Sequence, residues 1–98
     1  MALYSFIMDF REGTYISQTT ATDIKKAIES WAKTLEVDGI QYIGEKSKQY
    51  LIDNLDFVYE LTGKIDTVQN IWITQFGFKT GIATIHIFKT DTTPEPIE

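Results

Sequence analysis

The chain has 98 residues, nine Lys and Arg against fourteen Asp and Glu for a net charge of −5, one His and no Cys. At this size about 60 to 65% of the unfolded surface can be buried, enough for one core but not for a second domain or a deep cofactor crevice. The acidic balance argues against nucleic acid or anionic lipid as the main partner. Without Cys there can be no disulfide, thiolate metal site or Cys nucleophile, so the expected address is cytoplasmic.

From Ala2 to Phe10 the even positions Tyr4, Phe6, Met8 and Phe10 are large and apolar while the odd ones are mixed. That period of two predicts a strand. The same stretch has no basic residue before its apolar run, and Asp9 interrupts it, so it is not read as a signal peptide. Nor does any stretch approach the roughly 18 apolar residues of a membrane span. Glu12-Gly13 is expected to close a tight hairpin, with Gly13 supplying a positive φ, onto a strand rich in β-branched and aromatic residues from Thr14 to Thr20. Such a loop would set Phe10 opposite Tyr15 and Met8 opposite Ser17, collecting Tyr4, Phe6, Met8, Phe10 and Tyr15 on a core face.

Ile24, Ala27, Ile28, Trp31, Ala32 and Leu35 recur at the spacing of one helical face, with Thr22 as the expected N-cap, Asp23 at the positive end of the dipole and Asp38-Gly39 at the exit. A second helix is expected from about Glu45 to Asn54, with Tyr50, Leu51 and Leu55 turned inward. Between Asp56 and Gln69 strand, helix and turn signals conflict, Thr62-Gly63 and Asp66 having the chemistry of turns. Ile71 to Lys79 and Ile82 to Thr90 then predict a hairpin around Thr80-Gly81, with Phe78 facing Ala83, Phe76 facing Ile85, Gln75 facing His86 and Ile73 facing Phe88. Its core face would carry Trp72, Phe76, Phe78, Ala83, Ile85 and Ile87. Both prolines and three acids fall in residues 91–98, expected to be a disordered tail to a single domain over residues 1–90.

This order, ββααββ, predicts an α+β fold: an antiparallel sheet of four or five strands with two helices on one face. The other face would be half apolar, carrying Leu3, Ile7, Ile16, Ile71, Ile73, Ile82 and Phe88. A purely solvated face should be more polar, so Ile7, Ile16, Ile71, Ile73, Ile82 and Phe88 are expected to form an interface with a second copy or another protein.

Catalytic constellations are scarce. His86 is the sole imidazole, suited to a general base or a pH-sensitive contact, or simply to a hydrogen bond with Gln75. Arg11, the sole Arg, could grip a carboxylate or phosphate, or pair with Asp9 on the surface. Asp9, Arg11, Gln75 and His86 are therefore the candidate ligand contacts of a small-molecule binder or enzyme. Trp31 and Trp72 could stack a ligand but fall on core faces. Five lysines, Lys25, Lys26, Lys33, Lys46 and Lys48, form at most a basic ridge diluted by Glu29 and Glu45. No nucleophile elbow, phosphate loop or metal-ligand spacing occurs, so no cofactor, metal or catalytic residue is expected.

The opening, Tyr4 to Phe10, Gly13 to Ile16 and then Ile24 to Leu35, resembles the start of HicB-type antitoxin domains, but lacks the Pro-rich turn and third strand that such domains place before the helix. The small acidic α+β character is similar to that of immunity proteins of bacterial toxins. Both resemblances imply a bacterial binding protein with a protein partner.

Overall fold

A computed structural model describes residues 1–65 and 69–90. Strand β1, Ala2–Phe10, follows its alternation to the letter: Tyr4, Phe6, Met8 and Phe10 are at most 1% exposed. It turns through Arg11-Glu12 into β2, Gly13–Ala21, with Phe10 paired to Gly13 and Met8 to Tyr15. The expected Glu12-Gly13 loop is thus corrected by one residue, which moves the strand register by two. Arg11 takes the positive φ (54°), while Gly13 opens the strand beneath the Tyr15 ring, which a Cβ at Gly13 would meet at 2.5 to 2.8 Å. A slip of two leaves every side chain on its expected face, because strand side chains alternate with period two.

Helix α1, Ile24–Thr34, buries Ala27, Ile28, Trp31 and Ala32. Its N-cap is Asp23 and not Thr22: the Asp23 carboxylate accepts the Lys26 N–H at 2.8 Å. Capping favours the shorter acid, which adds its charge to the positive end of the dipole. On the solvent side Lys33 reaches Glu29 at 2.9 Å, and that hydrogen bond and charge hold the Glu29 carboxyl below the usual range. A 3₁₀ turn, Val37–Gly39, follows, and the connection is pinned to the core by Val37, Ile40 and Ile43.

Helices α2, Glu45–Asp53, and α3, Leu55–Leu61, meet at Asn54, whose side chain donates to the Tyr50 carbonyl at 2.7 Å. Leu51 and Val58 are their fully buried anchors. Tyr50, expected inward, is half exposed and lays its ring against Phe76 at 5.5 Å. The stretch left unassigned from sequence is therefore helical to Leu61. It continues into a two-residue strand, β3, Gly63–Lys64. Asp66 and residues 91–98 lie outside the described residues.

Strands β4, Ile71–Phe78, and β5, Gly81–Thr90, form the last hairpin through Lys79-Thr80, again one residue from the expected loop and two in register. Gly81 holds a φ of 150°, a conformation that L side chains rarely adopt, so glycine belongs at this strand start. The sheet is antiparallel throughout, in the order β2-β1-β5-β4-β3. The fold is α+β as expected, with five strands and three helices among the described residues. One added helix and the short β3 come from the ambiguous stretch.

The helix-covered face is a continuous aromatic and aliphatic layer. Phe6 stacks on Trp31 with centroids 5.2 Å apart and planes within 2°, and Phe10, Phe78 and Phe76 meet edge to face at 5.7 and 5.0 Å. Trp72, expected in this layer, packs against it but is only half buried. Thr74 is the polar exception, 3% exposed, and its hydroxyl donates to the Val58 carbonyl at 3.4 Å, tying β4 to α3. Among the described residues no helix is long and apolar enough to cross a membrane.

Candidate interaction face

Among the described residues all helices lie on one side of the sheet and the opposite side is bare. Its centre is a row across four strands: Ile16 on β2, Ile7 on β1, His86 on β5 and Ile73 on β4. A second row runs beside it through Gln18, Ser5, Phe88 and Ile71. Five of the six side chains expected to form an interface, Ile7, Ile16, Ile71, Ile73 and Phe88, are thus contiguous neighbours. Ile82 stands apart opposite Gly77 near the hairpin end, 67% exposed.

Charge is nearly absent from this face. Alternation places every other residue of β1, β2, β4 and β5 on it, and of these Asp9 alone is charged, in a chain where 23% of residues are. Lys64 and Lys89 are paired with Trp72 and Tyr4, which belong to the helix side.

Three of the four polar candidates come together here and the fourth does not. His86 sits between Ile7 and Ile73, with Asp9 and Gln75 as its diagonal neighbours, both paired to Thr84. Such diagonal neighbours lie within reach of long side chains, but both bond elsewhere. Gln75 instead donates to the Thr84 hydroxyl at 3.4 Å, so the expected Gln75–His86 bond is replaced, a consequence of the two-residue register change. Asp9 accepts from the Thr14 hydroxyl at 2.8 Å, and no pair with Arg11 forms.

Arg11 is carried off the face because it occupies the loop and not the strand. Its Nη1 donates to the Thr80 carbonyl at 2.6 Å and its guanidinium lies 4.0 Å from the centre of the Tyr42 ring. The Thr80 hydroxyl in turn donates to the Tyr42 carbonyl at 2.8 Å. Tyr42 has a positive φ of 70°, and this clamp holds it there. Sequence reasoning missed the clamp because its three members are 31 to 69 residues apart, with no periodic signal linking them. An open cleft of about 610 Å³ lies beside it, lined by Arg11, Glu12, Tyr15 and Tyr42 among others.

A second cleft, about 500 Å³, opens on the helix side of β2, where Met8, Tyr15, Ser17, Trp31, Leu35 and Ile40 line it. Neither cleft is lined by His86, Asp9 or Gln75. Among the described residues no group of three or more His, Asp or Glu side chains could hold a metal ion. Comparison of the chain with protein-family models, with curated proteins and with solved structures finds no match in any of the three. The likeness of residues 4–35 to HicB-type antitoxins therefore carries no family assignment.

Proposed function

We propose that the chain is a non-catalytic protein-interaction domain that works through the bare face of its sheet. The observation that supports this reading is the depletion of charge across four strands around a contiguous apolar centre, the compositional mark of an interface core. Four strands at about 4.8 Å spacing and eight residues at about 3.3 Å rise give a projected area of roughly 500 Å². That lies below the roughly 800 Å² per partner of a standard interface, which points to a partner of modest footprint or to a face enlarged by assembly. His86, Asp9 and Gln75 then serve as polar contacts inside an apolar patch, which orient a partner more than they add affinity. An antitoxin or immunity role is the form of this reading in which the partner is a toxin.

The test is the double variant Ile73→Asp/Phe88→Asp, both side chains being partly exposed and facing away from the core. Affinity capture with the full chain should recover specific protein partners, or a second copy, that the variant loses while its melting temperature stays close to that of the parent. An unchanged set of bound proteins and an unchanged solution mass would overturn the reading. A second reading, a small-ligand site, draws on the gathering of His86, Asp9 and Gln75 on one face; a metabolite thermal-shift response lost in His86→Ala would favour it.

A further inference from the structure

An open sheet ends in two strands, each with a free row of backbone N–H and C=O groups, and proteins blunt those edges with charge, proline, bulges or short strands. The two edges here are treated differently. On one side β3 is two residues long and carries Lys64. On the other, β2 runs nine residues without a charge or a proline, and its pairing with β1 is unbroken from Ala2–Ala21 to Phe10–Gly13, so no bulge twists it away.

Helix α1 guards only part of this edge. The Thr19 and Ser30 hydroxyls meet at 2.7 Å at one end, yet Ser17, on the helix side in mid-strand, is exposed, and the cleft lined by Trp31, Leu35 and Ile40 opens beside it. On the bare face Ile16 is 69% exposed. Among the described residues the middle of β2 is thus open above, below and along its edge.

We propose that β2 pairs antiparallel with β2 of a second copy about a twofold axis at Ile16, joining two five-stranded sheets into one of ten strands. The occupant must be an extended strand with its own free edge and no like charge to oppose. For a chain of net charge −5, copies repel over most of their surface, and β2 is the long neutral edge at which they can meet. The register follows from self-complementarity. With Ile16 opposite its own copy, Thr14 faces Gln18, and Tyr15 faces Ser17, which brings the copy's tyrosine ring over the open cleft. Shifting the axis to Ser17 would set Ile16 against Gln18 and lose both contacts.

The consequence reaches the bare face. A twofold axis perpendicular to the sheet keeps both sets of helices on one side, so the row Ile73, His86, Ile7, Ile16 continues into its copy. The projected apolar face doubles to roughly 1,000 Å², within the range of a standard interface. The edge pairing does not depend on what docks on the face, so the two ideas stand or fall separately.

The experiment is light scattering of the full chain over a wide concentration range, on the parent, Ser17→Lys and Ile73→Asp. Ser17 is exposed and off the bare face, so a lysine there places charge on the pairing edge alone. The parent should show a concentration-dependent dimer, weakened at least tenfold by Ser17→Lys and unchanged in Ile73→Asp. Because the chain has no Cys, Ile16→Cys supplies a single thiol whose copy would lie directly opposite, where strand partners have Cβ atoms about 4.5 to 5.5 Å apart. Mild oxidation should link it into a dimer faster than Ile73→Cys. A monomer at every concentration would overturn the proposal. So would a dimer that Ile73→Asp dissociates and Ser17→Lys does not, a result that would assign self-association to the face.

Discussion

Two faces of one sheet are built from the same strands, yet they solve opposite problems. On the helix side Tyr4, Phe6, Met8 and Phe10 are buried, with Phe6 stacked on Trp31, Phe10 edge to face with Phe78, and Tyr4 against Trp72. On the other side Ile16 is 69% exposed and Ile7, Ile73 and Phe88 are partly exposed, with none of the described residues packed above them. Burying apolar area gains about 25 cal/mol per Å², so the first face holds the fold together while the second leaves part of its gain unrealised until something covers it. The helix side is the stability face, and the bare side is the one that the proposed partner would cover.

The contrast can be broken most sharply at adjacent residues. Phe6→Ala should cost about 3 to 5 kcal/mol in chemical denaturation, because it removes a side chain 0% exposed and leaves Trp31 facing a cavity. For a domain whose total stability is of order 5 to 15 kcal/mol, that approaches unfolding.

The next effect is one of pH on the same face. Burial, and then the negative charge of Asp23, push the Tyr4 hydroxyl above the usual phenol range. The raised folded-state pKa means that the native chain keeps a proton the unfolded chain gives up. Stability is therefore full below about pH 10 and is lost as pH rises through the folded value. Tyr4→Phe should flatten that alkaline limb of the stability curve.

Asp23→Ala tests the helix that seals the face. Loss of the bond to the Lys26 N–H should cost about 1 kcal/mol in the same assay, with no effect on partner binding. On the bare side Ile7→Ala is expected to cost about 1 to 2 kcal/mol, less than Phe6→Ala, since part of that side chain is already hydrated. If Ile7→Ala proved as costly as Phe6→Ala, the division into a stability face and a binding face would fail.

Much of this was legible in the chain. The alternation over Tyr4, Phe6, Met8 and Phe10 and the helical spacing of Ile28, Trp31 and Leu35 report burial directly, since each is a local periodicity facing a single core. The face assignment survived two wrong hairpin loops because each one-residue error in the loop shifted the register by two. Less visible was the stretch after Asp56, where Val58 is the only fully buried anchor of a seven-residue helix and leaves too short a pattern to read. At the candidate site, Ile7, Ile16 and Ile73 were found as apolar residues out of phase with the core, but the fate of Arg11 and Gln75 was not, because one residue of turn geometry decides each.

What the sequence by itself determined is which side chains share a face, because strand and helix periods are properties of the local backbone. Tertiary structure alone decided strand order, which placed β1 and β5 at the centre and left β2 as an edge, and with it the row that runs from Ile16 to Ile73 through His86. Pairing depends on closing loops of tens of residues and on shape matching across the core, and neither leaves a local trace in the chain.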